Sequence, residues 1–338
     1  MLKVGKLDNK LLKEIVFENI KFKREEVLQR PQIGEDCAVI DFGEYECIMS
    51  TDPITSAIDQ IGKLAIHISC NDVASNGVEP LGIMLAVMLP IGTTEDEVRV
   101  MMKQAGETAA ELGVEIIGGH TEITGAVKQP VIVSTAIGRG FSSNKERKVK
   151  QGDLIFMTKK AGLEGTGIIA CDYESDLAEK LTSSEIAEAK SYLDMVSVVK
   201  DGVASGQIGF LAMHDVTEGG VLGAIWEMCY AAGLGAIIQK DEIPISNVTK
   251  KICEIYNIDP LKLISSGCML IITDAQNKDR LMQEMKKQSI MISLIGEVTD
   301  ANLGVQLISG GVSGVSTDDG VSTEITPPES DELYKVVR

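Results

Sequence analysis

Five short stretches of the sequence combine an acidic residue with glycine or with the end of a predicted strand. Carboxylate oxygens are preferred ligands of Mg²⁺, usually together with water and phosphate oxygens. Taken singly, each stretch has an ordinary interpretation as a turn or a helix cap. Together they favour one shared, oxygen-rich Mg²⁺ site. The predicted metal ligands are Asp36, Asp52, Asp72, Glu122 and Asp215.

Asp72 is the hardest of these residues to explain as purely structural. It lies in a helix predicted over 61–76, where Ile66, Cys70 and Val73 make most sides apolar. An ionised carboxylate in such a place costs free energy unless a cation or a hydrogen-bond donor meets it. We therefore assign Asp72 to catalysis as well as to the metal.

Two glycine pairs accompany the acidic residues and predict contacts with phosphate. Residues 118–122 follow a strand predicted over 114–117, and residues 215–220 lead into a helix predicted over 219–232. Exposed backbone N–H groups in such loops, and the dipole at a helix N-terminus, favour phosphate oxygens. The predicted cofactor-binding residues are Gly118, Gly119, Thr121, Thr217, Gly219 and Gly220.

Two histidines flank these glycine loops and are predicted to be catalytic. They are His120 and His214, and histidine is the side chain whose ordinary pKa lies nearest neutrality. Glu122 is a third candidate for the general base, and the sequence does not rank the three. A single histidine is more often a satisfied core residue, so these assignments depend on the neighbouring motifs.

Alternating helix and strand periods predict two α/β domains. The first half contains a strand over 82–89, a helix capped by Thr94 and a strand over 131–137. The second half contains strands over 154–158 and 269–273 and a helix over 183–200. A polar, basic stretch between them sets the domains at 1–145 and 150–310, and the Gly/Ser-rich and acidic remainder, 311–338, is expected to be a tail.

Composition excludes several classes of protein. The 338 residues include 32 basic and 50 acidic side chains, a formal net charge of −18, which argues against binding to nucleic acid or to an anionic membrane. The seven cysteines contain no Cys-x-x-Cys pair, so neither a zinc site nor a disulfide framework is indicated. A polar N-terminus and the lack of a long apolar run favour the cytoplasm. The usual phosphate-loop and dinucleotide-binding glycine motifs are also missing.

The order of three motifs resembles the AIR synthase-related, or PurM-like, superfamily. These motifs are residues 71–77, 118–122 and 215–220, and the resemblance extends from about Gly34 to about Leu307. The superfamily includes selenophosphate synthetase, thiamine-monophosphate kinase and the HypE-like hydrogenase-maturation proteins, which the chain most resembles. The resemblance implies a two-domain α/β (α+β) fold. Its N-terminal mixed sheet forms the core of a homodimer, and its C-terminal domain is an α/β sandwich.

The same resemblance implies ATP and Mg²⁺ near the dimer interface and phosphoryl transfer to a small acceptor. Asp36 matches the acidic residue of the family's Gly-Asp-Asp-Ala turn, where Glu35 stands at the first acidic position. Asp52 and Asp72 match the strand-end and helical aspartates. Gly118, Gly119 and Thr121 match the glycine-pair loop, and Asp215 matches the Asp-Val-Thr motif.

One departure from HypE-like proteins bears on the reaction. That family ends in Pro-Arg-Ile-Cys, whose thiol carries a carbamoyl group, whereas this sequence ends at Arg338 and its last cysteine is Cys268. A different acceptor is therefore expected, either a small molecule or a protein-borne group. The alternatives are a non-catalytic, nucleotide-binding maturation scaffold of the same fold and a structural or metal-storing dimer.

Overall fold

The structure is a computed structural model that describes residues 2, 5–55, 58–141, 148–310, 321–327 and 330–337. The chain divides into two compact units. The N-terminal unit comprises Arg24–Arg30 and Asp36–Asn144, and the C-terminal unit comprises Met1–Lys23, Pro31–Glu35 and Lys145–Arg338. Across the described ranges, none of the helices is both long and apolar enough to cross a bilayer.

The described residues form thirteen β-strands. The N-terminal unit contains β1 (Val27–Gln29), β2 (Ala38–Asp41), β3 (Tyr45–Ile54), β4 (Pro80–Pro90), β5 (Glu115–Thr124) and β6 (Val131–Phe141). The C-terminal unit contains β7 (Leu154–Thr158), β8 (Ala212–Asp215), β9 (Gly235–Gln239), β10 (Met269–Thr273), β11 (Ile292–Thr299), β12 (Val305–Ser309) and β13 (Val321–Glu324).

The same residues form ten α-helical segments, two of them in the N-terminal unit. These two are α2 (Ile61–Ser75) and α3 (Glu95–Leu112). The helices of the C-terminal unit are α1 (Asn9–Leu11), α4 (Leu163–Asp172), α5 (Glu174–Leu177), α6 (Ser183–Ser191), α7 (Val199–Ile208), α8 (Gly220–Ala232), α9 (Asn247–Tyr256) and α10 (Lys278–Lys287).

The N-terminal unit is a six-stranded sheet with helix α2 packed against β3, β4 and β6. The strand order is β1-β2-β3-β6-β4-β5, and β4 and β5 are parallel while the other pairs are antiparallel. Alternate residues of β6 are buried beneath the helix. Gly138 allows the close approach of α2, because a Cβ there would lie 2.5 Å from Val73 Cγ1. The predicted mixed sheet is confirmed.

The opposite face of this sheet stays partly open within the unit. Met49, Met88, Val133 and Ile137 are only partly buried, and Met84 is 40% exposed. Side chains alternate between the two faces of a strand, so these residues point away from α2. The N-terminal unit therefore presents a largely apolar sheet surface.

The C-terminal unit is a seven-stranded sheet covered on both faces by helices. Its strand order is β13-β12-β9-β11-β7-β10-β8. Strand β10 is buried throughout: Leu270 and Ile272 pack in a cluster with side chains of α8, and Met269 and Ile271 pack with side chains of α7 and α10. Because both faces of this strand are covered, its sequence is a continuous apolar run. The predicted α/β sandwich is confirmed.

Several predicted elements match the structure, and one predicted helix is wrong. Strands β7 and β10 have the predicted limits, and Thr94 caps α3 in a reciprocal capping box with Glu97. The helix predicted over 183–200 is instead broken between α6 and α7. Val196 and Val198 between them are both fully buried. The chain leaves α6 through a 3₁₀ turn at Tyr192–Asp194, and α7 begins only at Val199, so the segment between the two helices is part of the core.

Both ends of the described chain belong to the C-terminal unit. The predicted domains instead place the first residues in the N-terminal domain and leave 311–338 as a tail. Residues 311–320 lie outside the described part, but β13 pairs with β12, and Leu333 and Val336 are 4% and 6% exposed. At the N-terminal end, a Cβ on Gly5 would lie 3.3 Å from the Tyr334 ring. Burial of apolar side chains thus holds residues 330–337 against the unit.

Candidate functional site

Asp72 and Asp52 meet at a shared serine in the N-terminal unit. Asp72 is only 4% exposed. Ser50 Oγ donates a hydrogen bond to Asp72 Oδ2 at 2.5 Å, and Asp52 Oδ2 lies 3.5 Å from the same hydroxyl. Ser50 and Asp52 point toward α2 because they occupy alternate positions of β3. The structure thus brings two predicted ligands together beside one hydroxyl.

The turn that carries Asp36 is anchored to the same helix. Asp36 is half-buried just before β2, and the neighbouring Cys37 Sγ donates to the main-chain oxygen of Asp72 at 3.1 Å. Ser75 Oγ donates to that oxygen at 2.6 Å. The ligand atoms of Asp36, Asp52 and Asp72 do not all lie within 4.8 Å of one another. The three carboxylates are therefore neighbours without forming a closed cluster.

His120 and Glu122 lie on the other face of the sheet. They occupy strand β5, where His120 pairs with Ala86 and Glu122 with Met88 of β4. These partners alternate with buried Leu85 and Val87 on the helix-covered side. The two side chains are 70% and 48% exposed, and His120 Nε2 lies 3.4 Å from Glu122 Oε2. Within the N-terminal unit, they do not join Asp52 and Asp72.

The first glycine pair lies inside strand β5 rather than in the predicted loop after a strand. A Cβ on Gly119 would lie 1.9 Å from the carbonyl oxygen of Leu85, whereas a Cβ on Gly118 would meet nothing within 4 Å. Gly119 also has a φ of +149°. Glycine is therefore required at 119 by the close pairing of β5 with β4. Gly118 and Thr121 are exposed along this strand.

His214 and Asp215 lie at the end of β8 in the C-terminal unit, and both are buried. His214 Nε2 lies 3.1 Å from Glu227 Oε2, a carboxylate of helix α8, and His214 Nδ1 lies 3.9 Å from Asp215 Oδ1. Glu227 is not among the site residues predicted from the sequence. It is the only charged residue of helix α8, a signal like that of Asp72, but only the packing of α8 on β8 brings it to the histidine.

The backbone N–H groups of the second glycine pair donate hydrogen bonds to oxygen atoms of the protein. Gly219 N–H donates to Asp331 Oδ2 at 2.7 Å, and Gly220 N–H donates to the main-chain oxygen of half-buried Thr217 at 3.1 Å. A Cβ on Gly220, whose φ is +62°, would lie 2.6 Å from Leu261 O. The structure thus packs this glycine pair closely at the start of α8.

Two buried carboxyl groups of the C-terminal unit, those of Asp331 and Glu164, have a raised pKa. Burial raises the pKa of Asp331 to about 6, although N–H groups of Leu333, Gly219 and Ile264 favour its ionised form. Burial also raises the pKa of Glu164 to about 7, opposed by hydrogen bonding from Ser266. Neither residue belongs to the motifs from which the site was predicted, although Glu164 stands directly before Gly165.

Comparisons with known protein families cover both units. The family described as "AIR synthase related protein, N-terminal domain" matches residues 34–140. Its C-terminal counterpart, "AIR synthase related protein, C-terminal domain", matches residues 150–308. The two matches follow one another in the order that the resemblance in the sequence requires.

Individual relatives and solved structures agree with this result. The chain is 27% identical to "Putative hydrogenase expression/formation protein MJ0676" of Methanocaldococcus jannaschii, covering 89% of this chain and 90% of the relative. It is 25% identical to "Carbamoyl dehydratase HypE" of Rhodobacter capsulatus, covering 79% and 78%.

Two solved structures share the fold. A HypE–HypF complex contains a chain with a TM-score of 0.76 and 22% identity, covering 94% of this chain and 99% of that one. HypE in complex with ATP gives a TM-score of 0.70 at 19% identity, covering 99% and 98%. The chain belongs to the AIR synthase-related, PurM-like superfamily and within it is similar to HypE.

Proposed function

We propose that the protein is an ATP- and Mg²⁺-dependent enzyme of hydrogenase-maturation type that activates a small or protein-borne acceptor by phosphoryl transfer. The observation that carries this proposal is Asp72, a buried carboxylate on an apolar helix, with Ser50 and Asp52 beside it. The names of similar proteins support it, since one relative is a carbamoyl dehydratase and one neighbour was solved with ATP.

The donor set of the N-terminal unit fits Mg²⁺. Asp36, Asp52 and Asp72 offer only oxygen ligands, which suit a hard cation. Because the three do not close around one point, water or phosphate oxygens are expected to complete the shell. Bound there, Mg²⁺ supplies positive charge that offsets the charge of the phosphates. Asp215, on β8 of the C-terminal unit, remains a proposed metal ligand.

The proposed reaction moves the terminal phosphoryl group of ATP to an oxygen of the acceptor. A new P–O bond forms while the bond from the γ-phosphorus to the β–γ bridging oxygen breaks, and ADP leaves with that electron pair. The acceptor's proton, where it has one, passes to a base, for which His120, His214 and Glu122 are candidates. Gly118, Gly119, Thr121, Thr217, Gly219 and Gly220 remain proposed only as residues that line the nucleotide's surroundings.

Calorimetric titration with ATP, with and without Mg²⁺, tests the proposal. Asp72→Asn keeps the size of the side chain and an acceptor for Ser50 but removes the charge. We expect Mg²⁺-dependent affinity to fall about thirtyfold or more, as when one partner of a buried charged contact is removed. Asp59→Asn, at an exposed position of the same unit, is the control and should bind like the wild type. Equal binding by both variants would reject the site.

Turnover distinguishes an enzyme from a scaffold. ADP release should be measured with the wild type and with Asp72→Asn, alone and with candidate carbamoyl-bearing acceptors. An enzyme releases ADP in a way that depends on Asp72, whereas a nucleotide-binding scaffold binds ATP and releases none. The second outcome would retain the site and reject the catalytic part of the proposal.

A homodimer through the open face of the six-stranded sheet is part of the same proposal. That face is largely apolar, with Met84 40% and Ile117 50% exposed, and contiguous apolar surface of this kind marks an interaction site. It also carries His120 and Glu122, which pairing of two sheets would enclose. Sedimentation of Met84→Asp should show monomers while Val100→Asp, on the exposed side of α3, stays dimeric. A monomeric wild type would contradict the dimer.

A further inference from the structure

A cavity of about 580 Å³ lies in the C-terminal unit beside the start of α8. Three separate stretches of chain form its walls: the N-terminal residues around Lys6, the loop at Glu218 and Gly219, and the C-terminal residues around Asp331. Helix α8 adds Glu227. The volume is within the range of small-molecule sites.

The cavity combines an apolar wall with fixed carboxylates. Leu7, Leu11 and Pro327 supply apolar surface. Glu218 is held by a hydrogen bond from the Tyr334 hydroxyl, and Glu227 is held at 3.1 Å by His214 Nε2. These two hydrogen bonds fix the positions of the Glu218 and Glu227 carboxylates. The side chain of Glu227 is still 18% exposed, so one charged group reaches the cavity in a defined place.

The nearest helix N-terminus, that of α8, offers the cavity no unbound leading amide. Its leading amide, Gly219 N–H, already donates to Asp331 Oδ2 at 2.7 Å. Lys6 is a cation on the wall, which also carries the carboxyl groups of Asp8, Glu218, Glu227 and Asp331. Fixed negative charges beside hydrocarbon attract a cation that carries an alkyl chain and repel an anion.

We infer that this cavity binds a small organic amine, with its ammonium group at Glu227 and its methylene chain along Leu7, Leu11 and Pro327. The inference rests on the proposed function in one respect: the bound amine would be the acceptor of the phosphoryl group, or part of that acceptor. The binding itself needs neither ATP nor Mg²⁺. Its failure and the failure of the ATP site at Asp72 are therefore distinguishable.

Calorimetric titration of the full chain with putrescine and with agmatine, without nucleotide or Mg²⁺, tests the inference. Both amines should bind, while 1,4-butanediol and succinate, which are neutral and anionic molecules of similar length, should not. Glu227→Gln should weaken amine binding by about tenfold or more, the loss typical of a charge-assisted hydrogen bond. Glu297→Gln is the control, because Glu297 is exposed on β11 and does not line the cavity.

Lys6→Gln separates a binding role from a structural one. Removing this positive charge should tighten amine binding, which no loss of folding would do. Circular dichroism confirms that each variant is folded, and if Glu227→Gln is not, Lys6→Gln carries the test. The inference is overturned if neither amine binds the wild type, if succinate binds as well, if Mg²⁺ alone displaces the amine at equal concentration, or if Lys6→Gln weakens the binding.

Discussion

Glu164→Gln should make the C-terminal unit less sensitive to alkaline pH. Glu164 lies in the first turn of α4 and is 4% exposed. Burial raises its pKa to about 7, and the carboxylates of Asp331 and Asp215 add to the effect, while hydrogen bonding from Ser266 opposes it. Glutamine keeps the size of the protonated side chain and cannot ionise.

The magnitude follows from the difference between the folded and unfolded pKa. The carboxyl group loses its proton near its ordinary pKa of 4.5 in the unfolded chain and near 7 in the folded one. Between these pH values the folded state binds more protons, so the free energy of unfolding falls as pH rises. A shift of this size corresponds to about 3 kcal/mol. The contribution is fully present below pH 4.5 and is lost as pH passes through 7.

Urea unfolding followed by tryptophan fluorescence measures this effect in the relevant unit. Trp226 is the only tryptophan, and it packs against the core of the C-terminal unit. Between pH 5 and pH 8 the wild type should lose about 2 to 3 kcal/mol more free energy of unfolding than Glu164→Gln. Glu254→Gln, on the exposed side of α9, should follow the wild type. Parallel pH profiles for the wild type and Glu164→Gln would refute the reasoning.

Two further substitutions probe packing and charge. Gly119→Ala should lower the free energy of unfolding of the N-terminal unit by about 2 kcal/mol or more, because the new Cβ would meet the carbonyl oxygen of Leu85. Thermal melts measure this loss, and the control Gly118→Ala should lose clearly less stability. Equal losses in the two variants would contradict the prediction. Lys159→Met should cost the C-terminal unit about 3 to 5 kcal/mol, since it removes the cation 2.7 Å from Asp201, whose side chain is 2% exposed. Urea unfolding checks the second value, and recovery in Lys159→Met/Asp201→Leu supports it.

The sequence was sufficient to predict the ends of helices that are set by residues only a few positions away. Helix α2 ends before Asn76 and Gly77, whose φ is +77°, and α3 begins at the capping box of Thr94. These features need only the backbone and a side chain a few residues away. The motifs around Asp72, Gly118 and Asp215 were also sufficient to predict the family, because their order along the chain is distinctive.

Elements and contacts that depend on distant residues were not predictable in this way. Beyond residue 117, the exposed edge strand β5 does not alternate between apolar and polar residues. Its glycine and polar residues therefore predict a loop. The burial of Glu164 depends on the packing of α4 against α6 and α9, and the contact of Glu227 with His214 depends on the packing of α8 against β8. No residue near them in sequence carries that information.

The sequence by itself determined the two-domain α/β class, the family, and the acidic residues around Asp72. Alternating apolar periods and short motifs encode these features locally. Only the tertiary structure decided which groups meet: it joined Asp52 to Asp72 through Ser50, placed His120 on the opposite face of the sheet, and gave the Gly219 amide to Asp331. The physical reason is that hydrogen bonding and burial depend on distance in space, which a sequence specifies only once its apolar faces have packed.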